Sequence, residues 1–118
     1  MRAKDGRGRY GEDVAARYLG ELGYELLDRN WRCPHGELDI VARHEGTLVF
    51  VEVKTRSSVD FGLPAEAVGR VKAQRLRVLA AAWLTAHRPA YGDLRFDVVS
   101  VLLQRAGAAQ VQHLQGAI

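Results

Sequence analysis

Two stretches in the first half of the chain alternate apolar and polar residues in the way that β-strands do. They are Glu37–Arg43 and Leu48–Arg56, both rich in Leu, Ile, Val and Phe and both bounded by glycine or polar residues. Between them, Gly46 can take the positive φ that a hairpin turn requires. The pattern therefore predicts an antiparallel hairpin.

Side chains alternate between the two faces of a sheet along each strand, so the hairpin sequence also predicts which residues face the same way. On the first strand, Leu38 is expected to share a face with Ile40 and Ala42. Glu37, Asp39 and Val41 are expected on the opposite face. On the second strand, one face is predicted to carry Val49, Val51, Val53 and Thr55, and the other Leu48, Phe50, Glu52, Lys54 and Arg56.

The pairing of the two strands brings carboxylates together. A two-residue loop centred on Gly46 would place Asp39 across from Glu52, and Glu37 across from Lys54. Two carboxylates at about 4 Å repel by ~1 kcal/mol in water and ~4 kcal/mol at an effective dielectric near 20. A divalent cation such as Mg²⁺ would offset that repulsion. The alternative is a solvated hairpin in which neighbouring cationic side chains offset the acids.

The remaining periodicity predicts an α/β protein. The apolar Leu94–Leu103 strand follows a long helix, so a parallel crossover is expected. The order αβββαβ(β) predicts a small mixed sheet with helices on both faces. The predicted elements are a helix at Gly11–Leu22, a strand at Tyr24–Trp31 bent near Asp28–Asn30, loops at Arg32–Gly36 and Ser57–Pro64, a helix from Ala65 closed by Pro89, and an edge strand at Gln110–Leu114.

Three polar residues outside the hairpin bear on the site. Glu12 shares the apolar helix stripe with Ala15 and Leu19, so it either leans toward the sheet as a third carboxylate or is an ordinary first-turn acid. Asp97 lies within an apolar strand and is interpreted as structural. His113 is expected to be exposed rather than catalytic.

Composition narrows the class of protein. The chain has 118 residues, 47% hydrophobic and 26% charged, which suits one globular domain over residues 11–118. One cysteine, Cys33, excludes an intrachain disulfide and a cysteine-based zinc site. No apolar run reaches the about 18 residues of a membrane span, and no signal peptide is visible. We therefore expect a cytoplasmic protein with no membrane partner.

Positive charge suggests a polyanionic partner. The net charge is +3 and the pI about 9.4. Residues 1–10 are basic and glycine-rich, and they are predicted to form a flexible arm that either lies on nucleic acid or only aids solubility. Arg56, Lys72 and Arg75 are candidates to grip phosphates, the alternative for the helical pair being a solvated face.

Several separated motifs carry a family resemblance. With Asp39 and Glu52-Val53-Lys54 on adjacent strands, the chain resembles the PD-(D/E)XK, or restriction-endonuclease-like, superfamily. Within it, the chain looks like the bacterial YraN-like family of predicted nucleases, which is similar to Holliday-junction resolvases. The matching segments are Gly11-Glu12, Asn30-Trp31-Arg32, Gly36-Glu37-Leu38-Asp39, Phe50 to Arg56, Phe61-Gly62, Lys72 and Arg95 to Val99.

The resemblance implies roles for individual residues. Asp39 and Glu52 would be metal ligands, Lys54 the catalytic lysine, and Glu12 a further site residue and ligand. The proline of the superfamily's Pro-Asp motif is Leu38 here. The preceding Glu37 is left open between joining the metal shell and pairing with Lys54.

These observations lead to one main hypothesis and two rivals. The main hypothesis is a Mg²⁺- or Mn²⁺-dependent endonuclease that hydrolyses DNA phosphodiesters, on branched or single-stranded DNA. The resemblance to Holliday-junction resolvases also implies homodimerisation, because a four-way junction has two symmetric scissile strands. The rivals are a non-catalytic nucleic-acid-binding module with the same fold and basic surface, and an assembly protein with no nucleic-acid role.

Overall fold

A computed structural model of the protein describes residues 6–57 and 69–118, which form a five-stranded mixed sheet with a helix against each face. The strands lie in chain order; β3 and β4 are parallel and the other neighbouring pairs are antiparallel. The predicted meander followed by a parallel crossover is confirmed. The elements are α1 (Gly6–Glu21), β1 (Glu25–Cys33), β2 (Gly36–His44), β3 (Thr47–Ser57), α2 (Arg70–His87), β4 (Asp93–Leu103) and β5 (Gln110–Leu114).

Helix α1 covers one face of the sheet through the stripe that the sequence predicted. Ala15 and Leu19 are fully buried and pack against the sheet. The helix begins at Gly6, before the predicted start at Gly11, so the stretch from Gly6 to Tyr10 of the expected arm is helical. Glycine disfavours the helical conformation by about 1 kcal/mol per residue, but this segment is helical despite its glycines. Residues 1–5 lie outside the described part of the chain.

Helix α2 covers the opposite face. Its buried residues Leu76, Leu79, Ala80 and Trp83 pack around Phe50. The helix ends at His87, and the chain then takes a left-handed C-cap before the predicted Pro89 stop. The predicted helix start at Ala65 and most of the Ser57–Pro64 loop fall outside the described residues, while Ser57 itself belongs to β3. Among the described residues, no helix is both long and apolar enough to cross a membrane.

Strand β1 is longer and less regular than predicted. It runs to Cys33, two residues beyond Trp31, because pairing with β2 continues to Gly36. The expected bend is present: the register shifts between Leu26 and Asp28. Asn30 has a φ of 53°, a left-handed conformation that asparagine tolerates better than most residues. Because of this irregularity, strict alternation does not predict which face of the sheet each β1 side chain occupies.

The β2–β3 hairpin has the predicted turn, and it has the predicted register from His44–Thr47 to Ile40–Val51. The predicted pairs Asp39–Glu52 and Glu37–Lys54 are not part of this ladder, and Glu37 pairs with Arg32 instead. Glu45 and Gly46 both have positive φ, 50° and 82°, and His44 pairs with Thr47. The turn also holds the start of β4, because the Gly92 N–H donates to the Gly46 carbonyl at 2.9 Å. The hairpin tip is therefore tied to the strand that enters the sheet after α2.

One expectation about the hairpin is wrong. Leu38 does not share a face with Ile40; it packs with Val41 in the cluster beneath α2, while Ile40 packs beneath α1. Regular β2–β3 pairing runs only from His44–Thr47 to Ile40–Val51. Alternation of faces is lost where that ladder ends, so a period of two residues could not be extended through Asp39.

Helix α1 packs so closely on β3 that Gly11→Ala should destabilise the protein. A methyl group at Gly11 would lie 2.7 Å from Thr55 Cγ2 and 2.9 Å from Thr55 Cβ. Overpacking of this kind costs about 1–3 kcal/mol, measurable by urea denaturation. Gly20→Ala is the matched control: its methyl group meets no atom within 4 Å, so it should stabilise the helix by about 0.5–1 kcal/mol. Equal shifts in one direction would contradict the close approach.

Candidate active site

Asp39 and Glu52 line a single cleft between the sheet and α2, with a volume of about 230 Å³. Both acids are largely shielded from solvent: Asp39 is buried, and the Glu52 side chain is 16% exposed. The sequence prediction that these two carboxylates converge therefore holds. The cleft is lined by Gly36, Glu37, Asp39, Glu52, Lys72, Arg75, Leu76 and Leu79.

A backbone contact fixes the position of Asp39. Its Oδ2 accepts a hydrogen bond of 2.8 Å from the Val53 N–H. The Asp39 side chain thus takes up a β3 donor just beyond Ile40–Val51, the last regular pair of the ladder. A carboxylate held by a backbone donor has little rotational freedom, so the Asp39 carboxylate has a fixed orientation beside Glu52.

The surroundings of Glu52 disfavour the charged form of its carboxyl group. Burial raises the pKa of its carboxyl, and the nearby charge of Asp39 raises that pKa further. Lys72 and Lys54 act in the opposite direction without cancelling the shift. A carboxyl with a raised pKa beside a second carboxylate indicates a place where additional positive charge would be stabilising.

Lys72 supplies part of that positive charge. Its Nζ lies 2.8 Å from Glu52 Oε2. The residue was predicted only as a candidate for gripping phosphate, since no local pattern relates it to a glutamate on a distant strand. Arg75, one turn further along α2, lines the same cleft. Two of the predicted phosphate-binding residues are therefore brought to the acids.

Lys54 lies two residues after Glu52 on β3 and is half-buried. The two residues share a face of the sheet by strand alternation. Its charge contributes to lowering the pKa of Glu52, less strongly than Lys72 does. Lys54 is therefore close enough to act electrostatically on Glu52.

Glu37 and Glu12 have arginine partners on β1. Glu37 lies opposite Arg32, whose Nε donates to Glu37 Oε2 at 3.1 Å. Glu12 is 1% exposed, and its Oε1 accepts hydrogen bonds from Arg29 Nε and Nη2 and from Asn30 Nδ2, the last at 2.8 Å. Glu12 is thus buried, as its place in the helix stripe allowed, and it is not among the residues that line the Asp39–Glu52 cleft.

The acids fit a hard cation as a two-carboxylate donor set. Within residues 6–57 and 69–118, no three His, Cys, Asp or Glu side chains gather as one metal-binding group. Mg²⁺ commonly takes one or two carboxylates and completes its shell with water and substrate phosphate. Asp39 and Glu52 satisfy that requirement in donor chemistry, so a site of this class does not need Glu12 as a direct ligand.

A second polar cluster on the α1 side of the sheet corrects one prediction. Asp97 is fully buried and accepts from Arg95 Nε at 2.8 Å and from the Gly116 N–H at 2.9 Å. His113 Nε2 donates to Asp97 Oδ2 at 2.8 Å, and the His113 side chain is 5% exposed. His113 was expected to be exposed and is not, because β5 turns it toward Asp97. The structural interpretation of Asp97 agrees with these contacts.

The fold and cleft define a class: a mixed α/β protein with paired carboxylates held between its sheet and a basic helix. Within that class, the chain belongs to the uncharacterised protein family UPF0102, whose family model matches residues 11–101. A UPF0102 protein of Beutenbergia cavernae is 62% identical over 116 residues, which is 98% of each chain. UPF0102 proteins of Frankia casuarinae and Streptomyces griseus are 55% and 54% identical, covering 99% and 98% of each chain.

Removing Lys72 should raise the pKa of Glu52 further. The Lys72 ammonium opposes the effects of burial and of Asp39, so Lys72→Met leaves those two effects less compensated. The measurement is a carboxyl-carbon NMR titration in metal-free buffer. Arg77→Met removes a charge from the same helix, but Arg77 lies over the Phe96 ring at 5.9 Å and should leave the Glu52 pKa nearly unchanged. An unchanged pKa in Lys72→Met would show that the ion pair does not form in solution.

Asp97→Asn should destabilise the protein at neutral pH and weaken its acid sensitivity. Burial acts to raise the pKa of Asp97, but bonds from His113, Arg95 and the Gly116 N–H outweigh burial and lower it. Stabilisation by the carboxylate is therefore complete above its unfolded pKa of about 3.9 and disappears as pH falls through the lower folded pKa.

Breaking this buried ion pair should cost about 3 kcal/mol at pH 7, and the difference from the parent protein should shrink as pH falls toward 3. Urea unfolding across that pH range measures both effects. Asp93→Asn is the control, since Asp93 is an exposed residue at the start of the same strand. A pH-independent difference would contradict the lowered pKa of Asp97.

Proposed function

We propose that this protein is a divalent-metal-dependent nuclease that hydrolyses DNA phosphodiesters in the Asp39–Glu52 cleft. One observation carries the proposal: two carboxylates from neighbouring strands share a shielded cleft whose remaining charged side chains include Lys72 and Arg75. Acids that bind a metal beside cations that attract phosphate are the two components that metal-assisted phosphodiester hydrolysis requires. The resemblance to PD-(D/E)XK nucleases supports the same assignment.

Asp39 and Glu52 are the proposed ligands of Mg²⁺ or Mn²⁺. The ion would supply Lewis-acid stabilisation of charge on the phosphodiester and a nucleophilic water at neutral pH. Asp39 enters the site already oriented by the Val53 N–H. Glu52 enters it with a raised pKa and Lys72 as its counter-ion, so its carboxylate gains most from a cation of higher charge. Glu12, engaged by Arg29 and Asn30, is assigned a supporting role.

The lysines and arginines are proposed to act on the substrate. Lys54 holds the nucleophile or the negative charge that develops on the phosphate. Lys72 and Arg75 contact the DNA backbone. A metal bound at Glu52 would replace Lys72 as the counter-ion of that carboxylate, which leaves the lysine able to reach the substrate. Arginine can bind a phosphate with two parallel hydrogen bonds, whereas lysine acts as a point charge. Branched or single-stranded DNA remains the proposed substrate class, and homodimerisation remains a prediction.

A second candidate function is non-catalytic nucleic-acid binding. The ion pair between Lys72 and Glu52 favours it, because an acid that is neutralised within the chain has less need of a metal. Arg29 neutralises Glu12 in the same way, and the Asn30 side-chain amide donates to the same carboxylate. A protein of this kind would bind DNA with a steep salt dependence and would cleave no substrate.

A manganese-dependent cleavage assay separates the two functions. We expect cleavage of at least one of branched, flapped, single-stranded or duplex DNA. Asp39→Asn and Glu52→Gln should each reduce the rate at least about 100-fold, because each replaces an anionic metal ligand by a neutral amide. Glu45→Gln makes the same chemical change at the exposed turn of the same hairpin and should leave the rate unchanged.

Lys54→Met should lower the rate without weakening Mn²⁺ binding, since Lys54 is proposed to act on the substrate and its positive charge does not assist binding of the ion. Manganese binding is followed by the loss of its free-ion electron-spin-resonance signal. DNA binding without cleavage of any substrate, with Glu52→Gln behaving as the parent protein, would replace the nuclease proposal by the binding module.

A further inference from the structure

A second cavity opens on β3, β4 and β5, beyond the acids. Its volume is about 280 Å³. Nothing in the proposed chemistry uses this cavity, although Arg56, a predicted phosphate-binding residue, forms part of its wall. The lining residues are Arg56, Ser100, Leu102, Gln110, Val111 and Gln112.

Strand register places the cavity on the same face of the sheet as Glu52. Lys54 lies beside Ser100, which lies beside Gln112, so these three residues form one row across β3, β4 and β5. The next row consists of Arg56, Leu102 and Gln110. The row on the other side of Lys54 and Ser100 contains Glu52 and Val98. Rows two residues apart share a face and are separated by about 7 Å, so the cavity begins one row beyond Glu52 on the same face.

Helix α2 packs on a different part of this face. Its buried residues contact Leu48 and Phe50 of β3 and Phe96 of β4. Those positions precede Glu52 and Val98 in the register, whereas the cavity rows follow them. The face is thus divided: one half is covered by α2, the acids lie at the division, and the polar cavity occupies the other half.

The wall of the cavity combines charged, polar and apolar groups. Arg56 contributes a guanidinium, which suits a phosphate. Gln110 and Gln112 contribute side-chain amides, each carrying both donors and an acceptor, as the edge of a nucleobase does. Leu102 supplies apolar surface. Pockets for drug-sized ligands hold roughly 300–1,000 Å³, so this cavity suits a unit no larger than one nucleotide.

We infer that this cavity binds one unpaired nucleotide of the DNA strand whose neighbouring phosphate lies at Asp39 and Glu52. The inference rests on the proposed nuclease function and extends it to the path of the substrate. Arg56 holds a backbone phosphate, and Gln110 and Gln112 contact the base edge. A paired base has that edge occupied by its partner, so the site selects single-stranded DNA or an unpaired arm over duplex.

The test measures binding of a fluorescein-labelled 12-nucleotide single strand, and of the matching duplex, by anisotropy. The Glu52→Gln protein is used so that cleavage does not interfere. Adding Gln110→Ala and Gln112→Ala together should weaken single-strand binding about tenfold, as expected for losing about two hydrogen bonds, and duplex binding less than twofold. The salt dependence should not change, because no charge is removed.

Two further variants define the site. Arg56→Gln should lower the slope of log affinity against log salt by about 0.7, the value for one phosphate contact on a single strand. Gln104→Ala is the control: Gln104 is exposed, bonds to the Ala108 carbonyl and does not line the cavity. It should bind like the parent. Thermal unfolding of every variant checks that all are folded.

The outcomes separate this inference from the function on which it rests. If the parent protein cleaves no DNA and Glu52→Gln binds none, both fail. If the parent cleaves but the double glutamine variant binds the single strand as tightly as its parent, only the nucleotide site fails. Equal losses for single strand and duplex would also overturn it, because the cavity would then not distinguish unpaired bases.

Discussion

The hydrogen bond from the Val53 N–H to Asp39 is the contact on which the site depends. A continuous β2–β3 ladder would pair Val53 with backbone, and Asp39 would be one more alternating residue. Instead the last regular pair is Ile40–Val51 and the carboxylate takes the next donor. Asp39 therefore supplies the acceptor for the partly buried Val53 N–H at the point where the two strands stop pairing. The cleft exists where the sheet stops being regular.

The two faces of the sheet handle buried acids differently. On the α1 face, Asp97 accepts bonds from Arg95, His113 and the Gly116 backbone, and its pKa is lowered. On the α2 face, Glu52 has only partial compensation and its pKa is raised. A satisfied buried acid fixes structure, whereas an incompletely compensated one retains affinity for an added cation. This contrast, rather than the number of acids, distinguishes the structural cluster from the candidate active site.

Local rules predicted most of the fold. The turn at Gly46 set the hairpin register because two residues of positive φ permit only one pairing, and the apolar stripe of α1 identified Ala15 and Leu19 as core. Prediction failed where contacts join distant segments. Leu38 changes face because the ladder ends beside it. The His113 side chain is shielded because it bonds to Asp97 on the adjacent strand. The Lys72–Glu52 ion pair spans the crossover, so no spacing rule could have indicated it.

The Gly46 carbonyl has a consequence for how this fold tolerates change. Exposed hairpin tips ordinarily accept inserted peptides, since their backbone makes few hydrogen bonds to the rest of the molecule. Here the tip receives the Gly92 N–H, and a side chain at Gly92 would approach that carbonyl to 3.1 Å. Lengthening the tip would therefore detach the point at which β4 begins. Grafted sequences and affinity tags belong in the segment between β4 and β5, where residues 104–108 are all exposed and the bond from Gln104 to the Ala108 carbonyl lies within the segment itself.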